Sequence, residues 1–309
     1  MTLPIKVIES FPDPAAGKYD ENRWYRQHDN AIVIINCQSK NIFYPRHWTP
    51  LSVKCAFQGT EHYHFEKHAF GVSDKSFLIL NEGSEYRSSI RSETLTHSFS
   101  INFTARNITD VYGGIFSHGN RQLDDPFNNY DGSPRFVEKL YPHDGTFPRL
   151  PAIRKLVQQK GVDQACLLEQ IYFVLGDMIL LYNQTSAEID ELKAKKRATR
   201  EELYKRLYKA KDFMDSCYQA DVSLQTLAEI SLLNSFYLLR QFKNVFKVTP
   251  RQYLIKRRLS KATDLLLTTD LPIDVIRDQV GFSDISSFCK LFKRVYRYPP
   301  GIFREKARR

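Results

Sequence analysis

The chain repeats itself. Between Phe236 and Tyr253, and again between Ser286 and Phe303, one pattern returns at an offset of 50 residues: Leu238 with Phe288, Phe242-Lys243 with Phe292-Lys293, Val245 with Val295, Pro250 with Pro300, Tyr253 with Phe303. Upstream the offset is 49, with Leu227 matching Ile276 and Leu233 matching Phe282, and the slip of one residue falls in a turn. A single duplication has too few copies for a solenoid, which needs roughly three stacked repeats or more. The repeat therefore restricts this end of the chain to a bilobed domain of two equivalent small units.

Each unit reads as a helix-turn-helix, at 223–246 and 272–296. SLQTLAEISL starts at Ser223 and SFYLLRQFKNVF follows Asn234, both residues whose side chains accept from the free N–H groups of a first helical turn. Thr249 and Pro250 supply a cap and a first-turn proline for PRQYLIKRRLSKATDLLL, which carries Ile255, Leu259, Ala262 and Leu266 along one side. Pro272 opens the next helix, Gly281 closes it, and Ser283 or Asp284 caps the one after, while YKRLYKAKDFMDSC forms a helix ahead of the set.

The helical wheel separates two faces. Leu238, Phe242 and Val245 share one side, as do Phe288, Phe292 and Val295, and these are expected in the cores of the lobes. Nearly opposite lie Phe236, Arg240 and Lys243 in the first copy and Ser286, Lys290 and Lys293 in the second, so the same two positions carry cations in both. As a helix, Pro250 to Leu267 would span about 27 Å, against the roughly 34 Å between successive major grooves on one face of B-DNA. Double-stranded DNA is the expected partner. Arg240 and Lys290 suit base edges, Lys243, Lys293, Lys247 and Arg294 suit phosphates, and Phe236 suits a thymine methyl group; Ser235 and Ser287 complete the candidate interface.

The basic charge sits at this end too. The net +10 divides into +14 from Leu192 onward, where 26 Lys and Arg face 12 Asp and Glu, and −4 for residues 1–191. That asymmetry is the footprint of a polyanion-binding domain attached to something else. At 309 residues two domains are expected, and no apolar run in the sequence approaches the length that crosses a bilayer. The N-terminal MTLPIKVIESFPDPAAG, with an early acid and prolines, does not read as a secretory signal, so a cytoplasmic location is expected. Cys37, Cys55, Cys166, Cys217 and Cys289 are odd in number and scattered, which points to reduced, mostly buried thiols and to neither disulfides nor a zinc knuckle.

The first half is made of strands and turns. AIVIINC, SVKCAF, HYHFEKHAFGV, KSFLILNEG and HSFSINF are short, β-branched or aromatic, and punctuated by Gly, Asn and Ser, as in a β-sandwich or barrel. Residues 113–151 read as long loops. From Asp163 to Asn183 the residues Leu167, Ile171, Val174, Leu175, Met178 and Leu181 give a helix with a broad apolar face, to be packed on the β domain or on a second copy. The charged segment 186–202 follows as a partly helical linker between a domain at 1–185 and another at 203–307. The fold class is thus α+β in two domains, an N-terminal β domain with helices and a C-terminal all-α one. His62, His64 and His68 raise a metal reading, with His62 and His64 on one strand face, but they lack a further carboxylate and histidine at useful spacing, so no metal, cofactor or catalytic constellation is expected.

Residues 203–307, a third of the chain, resemble the DNA-binding domain of the AraC/XylS transcription regulators, most fully in PIDVIRDQVGFSDISSFCKLFKRVYRYPPGIFR and again in SLQTLAEISLLNSFYLLRQFK. The resemblance implies a seven-helix, two-lobed reader with its third and sixth helices in the major groove, and base contacts at the positions of Phe236, Arg240, Ser286 and Lys290. It also implies operator DNA as partner, RNA polymerase if the protein activates, a cupin-like regulatory domain at 1–185 that takes a small-molecule effector or forms a homodimer, and no enzyme activity. Three residues depart from the family pattern: Arg277 replaces a small residue in the scaffold helix of the second unit, and Lys247 and Arg297 replace the glycine that commonly ends each recognition helix. The competing reading is a cupin-like metalloenzyme with a basic DNA-targeting tail.

Overall fold

The computed structural model describes residues 4–10, 30–66, 69–104, 134–143, 149–159 and 161–308. The chain divides into two compact units, Met1–Glu191 and Leu192–Arg309.

Among the described residues the first unit holds one eight-stranded sheet: β1 Ile5–Ile8, β2 Ile32–Thr49, β3 Ser52–Phe57, β4 Thr60–His64, β5 Ala69–Ser73, β6 Ser76–Leu80, β7 Ser84–Asn102 and β8 Leu140–Pro142. The strands run in the order β1-β2-β7-β3-β6-β5-β4, with β8 on β6, and β4 returns to pair with β7. Strand β7 makes this closure possible by serving three neighbours. Its whole length lies along β2, its residues 97–102 pair with β3, and its residues 87–89 pair with β4. A closed ring leaves fewer open edges to aggregate than a flat sheet of the same strands.

Alternation then sorts the side chains. Val53, Cys55, Phe77, Ile79, Phe99 and Ile101 point to the outer face, where they meet Leu150 and Ile153 of helix α1 (Arg149–Val157) and Leu167, Ile171, Val174, Leu175 and Met178 of helix α2 (Gln164–Asp190). Their sequence neighbours Ala56, Leu78 and Leu80 join Tyr63, Phe70, Val72 and Tyr86 inside the ring. Both faces are apolar, so SFLIL reads as a continuous run. The interior has a polar set as well: Lys54 Nζ donates to Asn102 Oδ1 at 3.1 Å, and the carboxyl of Glu61 is pushed up by burial, an effect reduced by Ser98, Tyr63, Lys54 and Ser88.

Several expectations for this half are corrected. Strands β2 and β7 continue well beyond AIVIINC and HSFSINF, HYHFEKHAFGV is two strands, and α1 begins inside the stretch read as loop. The charged segment 186–202, expected as a partly helical linker, carries helix at both ends: α2, capped by Asp163, runs to Asp190, and the next helix starts at Arg197. By length and composition α2 could also cross a bilayer, although no apolar run of that length was expected; Leu167, Ile171, Val174, Leu175 and Met178 pack on the outer face of the ring, while Phe173 and Leu180 are exposed. Only Cys37 and Cys55 are buried; Cys166 is exposed. Residues 113–133 and His68 lie outside the described residues.

The second unit has seven helices among the described residues: α3 Arg197–Ser216, α4 Leu224–Ser231, α5 Ser235–Phe246, α6 Pro250–Thr268, α7 Ile273–Gln279, α8 Ile285–Tyr296 and α9 Pro300–Arg308. Their starts follow the caps. Ser223 accepts from the N–H of Thr226, Asn234 from that of Phe236 and Asp284 from that of Ser287, while Thr249 and Gln252 close a reciprocal capping box on α6.

Candidate nucleic-acid interface

The repeat persists in the hydrogen bonds of the two turns. Leu232 N–H donates to Glu229 O and Leu233 N–H to Ala228 O at 3.2 and 3.0 Å; 49 residues on, Gly281 N–H donates to Asp278 O and Phe282 N–H to Arg277 O, both at 3.0 Å. Leu232 and Gly281 are both left-handed, with φ of 54° and 85°. The two turns thus aim α5 and α8 from their scaffold helices α4 and α7 in the same way.

Each recognition helix is anchored by aromatic packing, one residue away from the wheel's expectation at its C-terminal end. Leu238, Phe242, Phe288 and Phe292 are fully buried, but Val295 is 54% exposed and Val245 only half-buried. Their places are taken by Phe246, 4.3 Å from Phe242, and Tyr296, 4.6 Å from Phe292. Residues eight apart lie about 80° around a helix, and the larger rings reach over that angle to meet Tyr253 and Phe303 at the matched start of the following helix.

The first helix-turn-helix is fastened further by a part-buried ionic cluster. Tyr253 of α6 donates its hydroxyl to Asp215 of α3 at 2.8 Å, and Lys211 and Arg257 stand 2.9 and 3.2 Å from the same carboxylate. Burial alone would lower the Lys211 ammonium, but Asp212 and Asp215 raise it well above the ordinary lysine value; the Tyr253 hydroxyl is pushed up by burial and by Asp215. Removing one member would leave the others charged and desolvated, so the cluster holds α3 against α6 in a single arrangement.

On the other side of α5 and α8 lie the sequence-derived candidates. Phe236 is 82% exposed. Arg240, Lys243, Lys247, Ser286, Ser287, Lys290, Lys293 and Arg294 are all exposed. Ser235 is half-buried, its hydroxyl donating to Gln225 Oε1 at 3.3 Å, which ties the start of α5 to α4. Lys247 and Arg297 take the left-handed conformation usually given to glycine, with φ of 60° and 69°, and Lys247 Nζ donates to Asn244 O at 2.8 Å. Arg277 leaves the scaffold helix sideways, bonding to Ser283 O at 3.2 Å and pairing with Asp278 at 2.7 Å. Wheel reasoning passed over Tyr237, whose partly exposed ring lies 5.6 Å from the Arg240 guanidinium; it is neither core nor cation, and only its adjacency to Phe236 signalled it.

Among the described residues no group of three or more His, Cys, Asp or Glu is placed to hold a metal ion. His62 and His64 do share a strand face, 6.2 Å apart, with His64 Nε2 bonded to Ser89 Oγ at 3.2 Å.

Residues 227–306 match the family model described as a helix-turn-helix domain. The transcriptional activator RhaS of Enterobacter sp. (strain 638) is 33% identical over 100 residues, 32% of this chain and 36% of RhaS. The activator RclR of Escherichia coli K12, described as specific for RCS, is 34% identical over 86 residues, 28% of this chain and 30% of RclR. The alignments thus span about a third of these relatives' length. Among solved structures, the C-terminal domain of AraT, a response regulator from Geobacillus stearothermophilus, is 28% identical, covering 33% of this chain and 84% of that one with a TM-score of 0.32. The likeness to these activators lies in the C-terminal third, and residues 227–306 are a helix-turn-helix domain.

Proposed function

We propose that the protein is a sequence-specific DNA-binding regulator of transcription that lays α5 and α8 in adjacent turns of the major groove of operator DNA. The observation that carries the reading is the pair of exposed recognition helices with cations at matched positions, Arg240 with Lys290 and Lys243 with Lys293, joined by a 19-residue helix. Arg240, Lys290, Phe236 and Ser286 read base edges; Lys243, Lys293, Lys247 and Arg294 hold phosphates; Ser235 and Ser287 support the helix starts. Such a protein works where the chromosome is, in the cytoplasm. In gel-shift titrations at one fixed salt concentration, Arg240→Ala and Lys290→Ala should each weaken operator binding by about 1–3 kcal/mol with unchanged thermal unfolding. Unchanged affinity in both variants would refute the assignment.

The N-terminal ring serves regulation. A surface cleft of about 300 Å³, lined by Arg46, His64, Phe65, Glu66, Glu85, Tyr86 and Arg87, supports a small polar effector. The exposed Phe173 and Leu180 of α2 support a homodimer, which sedimentation showing only monomer at micromolar concentration would remove. RNA polymerase is the further partner if bound protein raises transcription.

A further inference from the structure

The connection from α3 to α4 is a strap held at three points. Arg258, midway along α6, donates from Nε to the Tyr218 carbonyl at 2.7 Å and from Nη2 to the Ala220 carbonyl at 2.8 Å. Between those carbonyls the peptide of Gln219 lies against Gly281 of the second unit's turn: a Cβ on Gly281 would stand 2.5 Å from Gln219 O and 2.9 Å from its carbonyl carbon. The Tyr218 ring sits 5.9 Å from both the Arg257 guanidinium and the Lys261 ammonium. The Arg258 guanidinium is also 5.6 Å from the ring of Phe282, which packs 5.3 Å from Phe288 of α8. One arginine thus grips the chain entering the first unit's scaffold helix and lies over the ring of Phe282, three residues before the second unit's recognition helix.

This contact controls a degree of freedom that α6 leaves open. The length of α6 sets the axial distance between the units, and Leu259, Ala262 and Leu266 seat the second unit on it. The rotation of one unit against the other about that axis is set by this packing together with contacts between the units themselves. The strap supplies such a contact, and two charge-assisted bonds to fixed carbonyls make it directional.

We propose that Arg258 is a positioning residue that fixes the angular and axial offset of α5 against α8, so that the protein accepts one spacing between the two half-sites it reads. The inference rests on the DNA-binding reading above. Its test is selection by the full-length protein from randomised duplex DNA, followed by titration of the selected sites. Wild type should enrich two motifs at one separation and lose at least about tenfold in affinity when one base pair is inserted between them. Arg258→Met, similar in length but without donors, should enrich the same two motifs over a spread of separations and lose only about two- to threefold on insertion, with Arg258→Lys in between. An Arg258→Met pool with one separation and the full insertion penalty overturns the inference. If circular dichroism shows that this variant does not fold, Arg258→Lys decides, and a wild-type-like pool from it overturns the inference equally. A wild-type pool without any motif refutes the DNA-binding reading itself, whereas a wild-type pool with a single motif leaves that reading intact and removes the spacing role.

Discussion

The two helix-turn-helix units differ most in the surroundings of their turns. Their turns carry the same hydrogen bonds, yet the first places Leu232 in the left-handed region with its side chain 63% exposed, and the second places Gly281 there. Leucine tolerates that conformation at a cost because nothing crowds it; glycine is required at the second turn because the Gln219 peptide crosses it. The scaffold helices differ similarly. Ala228 is buried, whereas its counterpart Arg277 reaches around to Ser283 O and Asp278. Duplication preserved the aim of each recognition helix, and the neighbours of each copy decided which local devices maintain it.

The largest test of this contrast is at the turns. Gly281→Ala should destabilise the C-terminal unit by about 3 kcal/mol, through backbone strain and collision with the strap, whereas Leu232→Gly should stay within about 1 kcal/mol of wild type in urea unfolding. Comparable losses in both would mean that the strap contact has no energetic weight. The recognition helices come next. Phe236→Ala should cost about 1–2 kcal/mol of operator affinity, with discrimination relaxed at one base pair, while Ser286→Ala, which removes a single hydroxyl, should cost about 1 kcal/mol or less in the same fluorescence-anisotropy titration. Arg277→Ala should lower stability by about 1 kcal/mol through the lost bond to Ser283 O, measured by thermal melting, while Ala228→Arg in the crowded first copy should be clearly more harmful.

The smallest effect separates the two caps by pH. Asp284 is held below the ordinary aspartate range by the hydroxyl and N–H of Ser287, so its cap is complete above that range and is lost as pH falls through the lowered value. Asn234 caps α5 with a side chain that does not titrate. Amide hydrogen exchange should therefore show the first turn of α8 loosening in acid before that of α5, and Asp284→Asn should abolish the difference.

Legibility followed the range of the interactions. Ser223, Asn234, Thr249 and Asp284 were readable because a cap acts within three residues of itself, and Leu238, Phe242, Phe288 and Phe292 because a helix repeats its faces every few residues. Val295 escaped because which aromatic closes a lobe depends on the ring it meets across the fold, here Phe303. The polar halves of β2 and β7 escaped for a related reason: SEYRSSIRSETLT has no apolar run to mark it as strand, and it is strand because β2 lies beside it along its whole length.

The amino-acid sequence by itself determined the duplication, the helix starts, the basic C-terminal end and the cation positions on α5 and α8, since each is written in residues a few positions apart or in a count. The tertiary structure alone decided the closure of the ring through β7 and the grip of Arg258 on a strap 40 residues upstream. Both join distant segments whose meeting depends on the packing of everything between them, and no local pattern records where a long side chain will find its carbonyl.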